Sequence, residues 1–424
     1  MTSTSGYPKP MVTAAFGSTL GTNYLILGDT ARGLLGTGVL APQNTGEDIS
    51  EYVIGFTSRR GAARPFEPVS AGTATVRLAD QNDDFNPRNL AGRFVSAGVT
   101  QVRPMVLVRI RVEYPQGSGT VYSINAVYAE RWDPAYTRRE AFATMVGADA
   151  FKALNLNVPS GPSAAAGAGE TTGARIGRRL DDHGWASLDR DLDTGKSTVA
   201  ATTRSTAPLE EMQAAETAEA GYLDMDAQNR VRFRDRHSRF EDTVSLTVQA
   251  TFGDDVDAGE LHYDSIEIAN DDGQILNTVT GSIEGGTPQT STDSASVGKY
   301  FPRTDTATGL LLQSDTDAAR WAEFRLGRYT DFDTRIDSLT FELVPGDYRF
   351  PTLLGLDRGY RIAVKKRTPK GLTYTFALFV ESIEWSASED RWSCTIETSS
   401  AQKFSGFILG TSLLGSTTDL LVGW

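Results

Sequence analysis

The sequence has few of the side chains that build disulfide frameworks and metal centres. Its 424 residues include one cysteine, Cys394, and three histidines, His183, His237 and His262. A single cysteine excludes a disulfide framework within the chain. The histidines stand in no HExxH or HxH pattern, so nothing in the sequence supports a zinc site. We therefore expect no cofactor and, apart from one calcium-like loop at residues 80–84, no metal.

Long apolar runs and an excess of positive charge are also missing. No run reaches the roughly 18 apolar residues that a membrane helix needs, and the first residues lack the charged and apolar regions of a signal peptide. With 41 Lys and Arg against 54 Asp and Glu the net charge is −13, which disfavours a nucleic-acid partner held through its phosphates. The length suggests roughly three domains. We expect a soluble protein made in a cytoplasm.

The motifs that suggest catalysis are incomplete. The segment DTGKST at Asp193–Thr198 resembles a phosphate-binding loop, but Arg190 stands where that loop needs its first glycine, so we predict a turn. The segment GTGVLA at Gly36–Ala41 fits a loose dinucleotide pattern, but no βαβ unit surrounds it. No GxSxG elbow is present. We expect that the protein is not an enzyme.

Asp80, Asn82 and Asp84 have the spacing of a calcium-binding loop. Phe85 and Ala91 replace the glycine and the glutamate that an EF-hand requires next. A calcium site of another type and a simple polar turn both remain open at this loop.

Alternation of apolar and polar residues predicts antiparallel sheet near both ends of the chain. The pattern is strongest in GTATVRLAD, in MVLVRIRVEY and in three final strands that are separated by TPKG and SED turns. The residues that this alternation predicts to be buried are Ala74, Val76, Leu78, Val106, Val108, Ile110, Val112, Trp392, Cys394 and Ile396.

The middle of the chain has helical patterns. We predict helices in 147–156, in 171–185 with His183 at the end, and in 206–221 between a Thr206 cap and Gly221. A hairpin follows, in which Asp226 faces Arg230 and Asp224 faces Arg232. The segment ANDDGQ is predicted to be a turn between two strands, 284–298 a polar loop, and Ser314 or Asp315 the cap of a further helix.

Several segments together resemble a known family. They are GTATVRLADQNDDFNPRNLAG, then TTGARIGRRLDDHGW with RDLDTGKST, then GYLDMDAQNRVRFRDRHSR, and finally VESIEWSASEDRWSCTIETSS. In this order they resemble the minor tail proteins, or central tail-tip (baseplate) hub proteins, of long-tailed bacteriophages (siphoviruses) that infect actinobacteria. The resemblance covers about residues 47–400.

The resemblance implies a β-rich α+β, multidomain fold with two tail-tube-like antiparallel β-barrels per chain, which form a ring in a homotrimer. The implied parts are an N-terminal arm 1–46, a first barrel 47–139, an α+β domain 140–242 with a flexible loop 158–170, a β-rich segment 243–345 with a helix at about 314–328, a second barrel 346–400 and a C-terminal arm 401–424.

The resemblance also implies a structural role in the virion. The protein would be a hub at the tail tip that connects the tail tube to tip or fibre proteins and forms the channel for DNA ejection. Implied partners are further copies of the chain, the distal tail protein, the tape measure protein, other minor tail proteins and the host cell envelope. Genomic DNA would pass through without sequence-specific binding, and a bore of acidic chains would keep DNA from adhering. Assembly would take place in the host cytoplasm.

The two ends carry similar apolar, glycine-punctuated segments. We expect them to act as assembly arms that add strands to the sheets of neighbouring subunits, although each arm could instead pack on its own chain. The residues assigned to these arms are Tyr24, Leu25, Ile26, Leu27, Phe407, Ile408, Leu409, Leu413 and Leu414.

Two alternatives differ in function. The first is a distal-tail or peripheral tail protein that binds host glycan through exposed aromatic residues, for which Trp132, Trp185, Trp321 and Trp385 are candidates. The second is a cell-wall hydrolase, for which no motif is evident.

Overall fold

A computed structural model describes residues 6–16, 46–62, 69–156, 163–203 and 206–401. The residues assigned to the assembly arms lie outside these ranges, and so do residues 158–162 of the expected loop 158–170. None of the helices in the described ranges is long and apolar enough to cross a membrane.

The described chain contains strands throughout and helices mainly in its middle. The strands are β1 (Lys9–Ala14), β2 (Glu47–Asp48), β3 (Val53–Gly61), β4 (Thr73–Ala79), β5 (Val95–Ser96), β6 (Val99–Thr100), β7 (Leu107–Glu113), β8 (Val121–Tyr136), β9 (Ala141–Ala148), β10 (Glu170–Thr171), β11 (Arg190–Leu192), β12 (Thr198–Val199), β13 (Tyr222–Met225), β14 (Val231–Arg234), β15 (Val248–Phe252), β16 (Ser265–Ala269), β17 (Thr278–Ile283), β18 (Gln289–Thr292), β19 (Thr304–Leu310), β20 (Arg335–Leu343), β21 (Arg361–Arg367), β22 (Thr373–Ala387) and β23 (Trp392–Ser400). The helices are α1 (Ala150–Leu156), α2 (Thr172–Asp182), α3 (Pro208–Glu219), α4 (Ser238–Glu241), α5 (Thr243–Leu246), α6 (Ser294–Tyr300), α7 (Asp315–Leu326) and α8 (Phe350–Gly355).

Thirteen strands form one large, mostly antiparallel sheet. Among the described strands its order is β16-β20-β23-β22-β3-β4-β9-β8-β7-β1-β2, and β21 with β15 branches from β22. The long strand β22 pairs with β21 through 373–379 and with β3 through 382–387. It therefore joins a first lobe (β1–β4 and β7–β9) to a second lobe (β15, β16 and β20–β23). The β-rich fold with a large antiparallel sheet and accompanying helices agrees with the sequence analysis.

One hydrophobic core runs through both lobes. At its centre Trp392, only 1% exposed, stacks with Tyr7 at 6.3 Å between ring centroids and meets the edges of Phe56 at 5.5 Å and Phe350 at 5.8 Å. All ten residues that the alternation predicted to be buried are buried. Burial also raises the pKa of the Cys394 thiol, which makes this side chain a small apolar core residue rather than a nucleophile.

Two smaller modules flank the sheet. In the helical module, α1, α2 and α3 pack with the sheet β11-β14-β13 around Ile176, Met212 and Phe233. In the threonine-rich module, β18-β17-β19 packs against α7 around Val279 and Trp321. The predicted helices near 147–156, 171–185 and 314–328 are confirmed as α1, α2 and α7, with His183 as the C-cap of α2 and Ser314 as the N-cap of α7.

The structure refines two local expectations and overturns a third. Within the expected N-terminal arm, Lys9–Ala14 forms a strand that pairs with β7 along its whole length, so this part of the arm packs on its own chain. The predicted turn at ANDDGQ lies between two strands, β16 and β17. These strands do not pair with each other, because β16 pairs with β20, whereas β17 pairs with β18 and β19. The polar segment 284–298 is not a loop throughout, since it contains β18 and most of α6, which Asp293 caps.

The ends of α3 also differ from the prediction. Ala207, not Thr206, is the N-cap, and no side chain caps the helix; Pro208 suits the first turn instead. At the other end Ala220, not Gly221, adopts the left-handed conformation, with φ of 54°.

Candidate functional site: a charged junction

A group of charged side chains links the helical module to the main sheet. The group begins in the hairpin β13–β14, where Val231 and Phe233 point into the module core and Arg232 points the other way. The predicted pairing of Asp224 with Arg232 and of Asp226 with Arg230 is confirmed. We call the following seven residues the junction: Arg60, Asp224, Arg232, Arg239, Asp357, Arg358 and Glu381.

Arg232 is the centre of the first half of the junction. Its Nε and Nη2 atoms donate to the two carboxylate oxygens of Asp224, each at 2.8 Å, and its Nη1 atom donates to Asp357 Oδ2 at 2.8 Å. Asp357 also accepts a hydrogen bond from Arg60 on β3. Asp357 thus binds Arg232 of the helical module and Arg60 of the main sheet, and so links the two parts.

Glu381 on β22 is the centre of the second half. Its side chain has no exposed surface, and Oε1 lies 2.6 Å from Nη2 of Arg239. Arg358 bridges the two halves, because its Nη1 atom lies 3.4 Å from Asp224 Oδ2 and its Nε atom 3.5 Å from Glu381 Oε2. The junction contains four arginines and three carboxylates, so each acid is shared by two cations.

The arginines determine the protonation of these acids. Burial alone would raise the pKa of Asp357 and of Asp224, but the charge of Arg232, assisted by Arg60 at Asp357 and by Arg358 at Asp224, holds both pKa values below their usual range. Both acids are therefore ionised at neutral pH.

A cleft of about 400 Å³ opens beside the junction, between the hairpin β13–β14, helices α4 and α5, and residues 357–360. Five arginines and five aspartates line it, so the cleft has no net charge and favours neither anions nor cations. Since these groups are bonded to one another, the arrangement is suited to fixing two parts of the protein together rather than to proton transfer.

Two buried carboxyl groups near the junction have strongly raised pKa values. Burial raises the pKa of Glu216 on α3 to about 8 and that of Asp149 to about 7. Glu216 accepts a hydrogen bond from the backbone of Leu223 at 2.8 Å, and Asp149 accepts from Gly72 at 2.6 Å and from Phe151 at 3.0 Å. Neither lines the cleft, so both act inside the fold.

The segment DTGKST forms the predicted turn, and an internal acid occupies its backbone donors. The fully buried Glu219 accepts from the backbone N–H of Lys196 at 3.1 Å and of Ser197 at 2.8 Å. Its carboxylate also accepts from the Thr172 hydroxyl at 2.7 Å. The donors that would bind a phosphate in a true phosphate-binding loop are thus satisfied within the chain.

The calcium-like loop is closed by hydrogen bonds to its own backbone. Asp80 accepts from the N–H groups of Asp84 at 2.6 Å and Phe85 at 3.2 Å, and Asp84 accepts from Arg93 at 2.8 Å. Within the described ranges no group of three or more His, Cys, Asp or Glu side chains is placed to hold a metal ion. These contacts favour the polar-turn interpretation.

The tryptophans proposed for glycan binding are mostly inside the protein. Trp132, Trp321 and Trp385 are 4%, 1% and 4% exposed, so they cannot stack on a sugar, and Trp185 is half-buried. The sequence analysis found the Asp224–Arg232 pair from local spacing. It missed Asp357 because its partner Arg60 lies 297 residues away, and no local pattern identifies such a contact.

The sequence matches no protein-family model and no curated protein. In structure the chain is similar to the prophage MuSo2 43 kDa tail protein from Shewanella oneidensis, with a TM-score of 0.56, 12% identity and coverage of 94% of this chain and 99% of that one. It is also similar to a tail protein from Neisseria meningitidis MC58, with a TM-score of 0.56, 9% identity and coverage of 92% and 96%. A weaker likeness to the Francisella PdpA–VgrG complex has a TM-score of 0.49 and covers 58% of that chain. The first two show that this chain has the fold of those tail proteins.

Proposed function

We propose that the protein is a structural component of a phage tail tip, a hub that connects the tail tube to the tip or fibre proteins. The observation that carries the proposal is the shared fold with two tail proteins, which extends over 94% and 92% of this chain and over 99% and 96% of theirs. A match over whole chains is expected when the entire molecule, rather than one inserted domain, does the same mechanical work.

The two lobes and the junction support this role. We propose that the lobes are the counterparts of the two expected tube-like barrels, although β1, β9, β15, β16 and β20 extend them beyond 47–139 and 346–400 and the described strands form one continuous sheet rather than two closed barrels. Strand β22 ties the two lobes side by side. The charged junction fixes the helical module to both, because Arg60, Asp357 and Glu381 belong to the main sheet or its connections. In this proposal three copies place six lobes in a ring, and the acidic chains form a channel through which DNA leaves without being bound.

The remaining assignments follow from the same proposal. The protein acts in the virion at the tail tip of a siphovirus of actinobacteria, is assembled in the host cytoplasm, and contacts the distal tail protein, the tape measure protein and other minor tail proteins. Strand β1 packs on its own chain, so the arm segments that pack against neighbouring subunits are those that carry Tyr24–Leu27 and Phe407–Leu414.

The mass of the purified assembly tests the proposal. We expect three times the chain mass of 45.8 kDa, and a chain that stays monomeric at every concentration would refute the hub. Removal of residues 402–424 should weaken assembly and leave the melting temperature of the 47–400 body unchanged. Full assembly after that truncation would refute the arm hypothesis, while a low-resolution image of the tail tip would locate the protein.

The alternatives have less support. A glycan-binding role for the four tryptophans is disfavoured by the burial of three of them. A hydrolase would need an acid or a nucleophile that faces substrate, whereas the perturbed carboxyls Glu216 and Asp149 face the protein interior. Zymography on cell wall tests this second alternative directly.

A further inference from the structure

Phe301, at the end of α6, is an exposed aromatic residue in a strained backbone conformation. Its φ and ψ angles are 61° and 169°, a region that residues other than glycine rarely adopt. Its side chain is nevertheless 80% exposed, so the strain does not serve to bury the ring. Strain of this kind persists only where the surrounding structure enforces it.

A buried asparagine enforces this conformation. Asn277 has no exposed surface, and its Nδ2 atom donates to the backbone oxygen of Phe301 at 2.9 Å and to Ser296 Oγ at 3.2 Å. Its Oδ1 atom accepts from the backbone N–H of Arg303 at 2.7 Å. The side chain of one buried amide thus holds the backbone on both sides of Pro302, and the fold itself presents Phe301 to solvent.

The surroundings of Phe301 are neutral and self-paired. Asp331 accepts from the Tyr300 hydroxyl at 2.6 Å and pairs with Lys299 at 3.3 Å, which brings the segment that continues into Phe332, 46% exposed, next to the end of α6. Arg303 pairs with Asp272. We call Phe301, Phe332 and these four charged residues (Lys299, Asp331, Arg303 and Asp272) the Phe301 patch.

We infer that the Phe301 patch is an interface for a second copy of this chain, an inference that rests on the proposed trimer. An apolar centre with a polar rim is the arrangement that concentrates binding energy in protein interfaces. The chain carries a net charge of −13, so copies repel one another over most of their surfaces. The two cations and two anions of the patch pair with each other, so this surface has no net charge and the repulsion between two acidic copies is absent there.

Because the backbone of Phe301 is strained, two substitutions can separate the effect of the ring on self-association from the effect of the backbone conformation on stability. In the full-length protein, Phe301→Gly removes the ring and also relieves the backbone, whereas Phe301→Ala removes the ring and keeps the strain. Leu188→Ala, at a residue that is 83% exposed on another part of the surface, is the matched control. Sedimentation equilibrium measures self-association, and thermal melts at a dilution where the chain is monomeric measure stability.

We expect F301G and F301A to weaken self-association by about thirty-fold or more, as loss of a central aromatic anchor does, while L188A associates like the original chain. We expect monomeric F301G to melt at or above the original temperature and F301A at or below it. Association of F301G at full strength, or a clear loss of stability in F301G, would overturn the inference. If F301G still forms trimers at full strength, the Phe301 interface is refuted and the proposed hub stands. If the original chain forms no trimer, the hub itself is refuted.

Discussion

Because the junction contains four arginines and three acids, we predict that removal of an acid destabilises the protein more than removal of an arginine. Of these acids, Asp224 and Asp357 are held ionised by Arg232. The nearby Glu216 adds little negative charge at pH 7, because burial raises its pKa to about 8. Asp224→Asn leaves four cations with two acids, whereas Arg232→Met leaves three with three. Two substitutions in one bonded pair should therefore differ in cost.

The magnitudes follow from burial. The side chains of Asp224 and Arg232 are 5% and 11% exposed, and removal of one partner from a buried pair costs about 3–5 kcal/mol because the other charge is left uncompensated. We expect about 4 kcal/mol for D224N. For R232M the balance of charge improves and the loss is that of hydrogen bonds to charged groups, about 2 kcal/mol.

Urea unfolding followed by tryptophan fluorescence measures both free energies. Glu389→Gln, at an exposed residue, makes the same change in net charge as D224N and should alter stability by less than about 0.5 kcal/mol. An R232M variant as unstable as D224N, or a D224N variant as stable as E389Q, would show that the count of charges does not govern the junction.

Three further predictions concern single residues. Because burial raises the pKa of Glu216 to about 8, the folded protein binds more protons than the unfolded chain between about pH 4.5 and pH 8, so the free energy of unfolding should fall as pH rises through this window; E216Q should flatten that dependence in thermal melts, and an unchanged slope would contradict the assignment. At Gly173 a Cβ atom would lie 1.9 Å from the Asp193 carbonyl oxygen, whereas at Gly177 on the same helix the nearest atom is 3.8 Å away. In urea unfolding, G173A should cost about 2–3 kcal/mol of stability, and G177A should stabilise the protein by up to about 1 kcal/mol. Equal effects of the two substitutions would refute the steric argument. Since Asp80 already accepts backbone hydrogen bonds, added calcium should leave the melting temperature unchanged, and a rise with calcium concentration would revive the calcium site.

The parts of the fold that could be predicted from sequence are those with local causes. Alternation placed Val108 and Ile110 in the core, and spacing across a short turn paired Asp224 with Arg232. Strand β1 escaped prediction because its stability comes from β7, about 100 residues later in the chain. The segment of β18 was predicted to be a loop because all four of its residues are polar, so no alternation of apolar and polar residues marks the strand.

The candidate site was only half predictable for the same physical reason. The hairpin acids and arginines are neighbours in sequence, but the contact of Arg60 with Asp357 depends on how two distant segments meet in the sheet. The strained Phe301 had no signal at all, since a positive φ at an aromatic residue is set by the tertiary clamp of Asn277 and not by the local sequence.

The shared strand β22 constrains how such a protein can change over generations. Its 373–379 portion belongs to one lobe and its 382–387 portion borders the other. Because side chains alternate between faces, inserting one residue between these portions would turn every later side chain of the strand to the opposite face of the sheet. Recombination between relatives should therefore exchange both lobes together or cut outside β22, so the pair is inherited as a single unit.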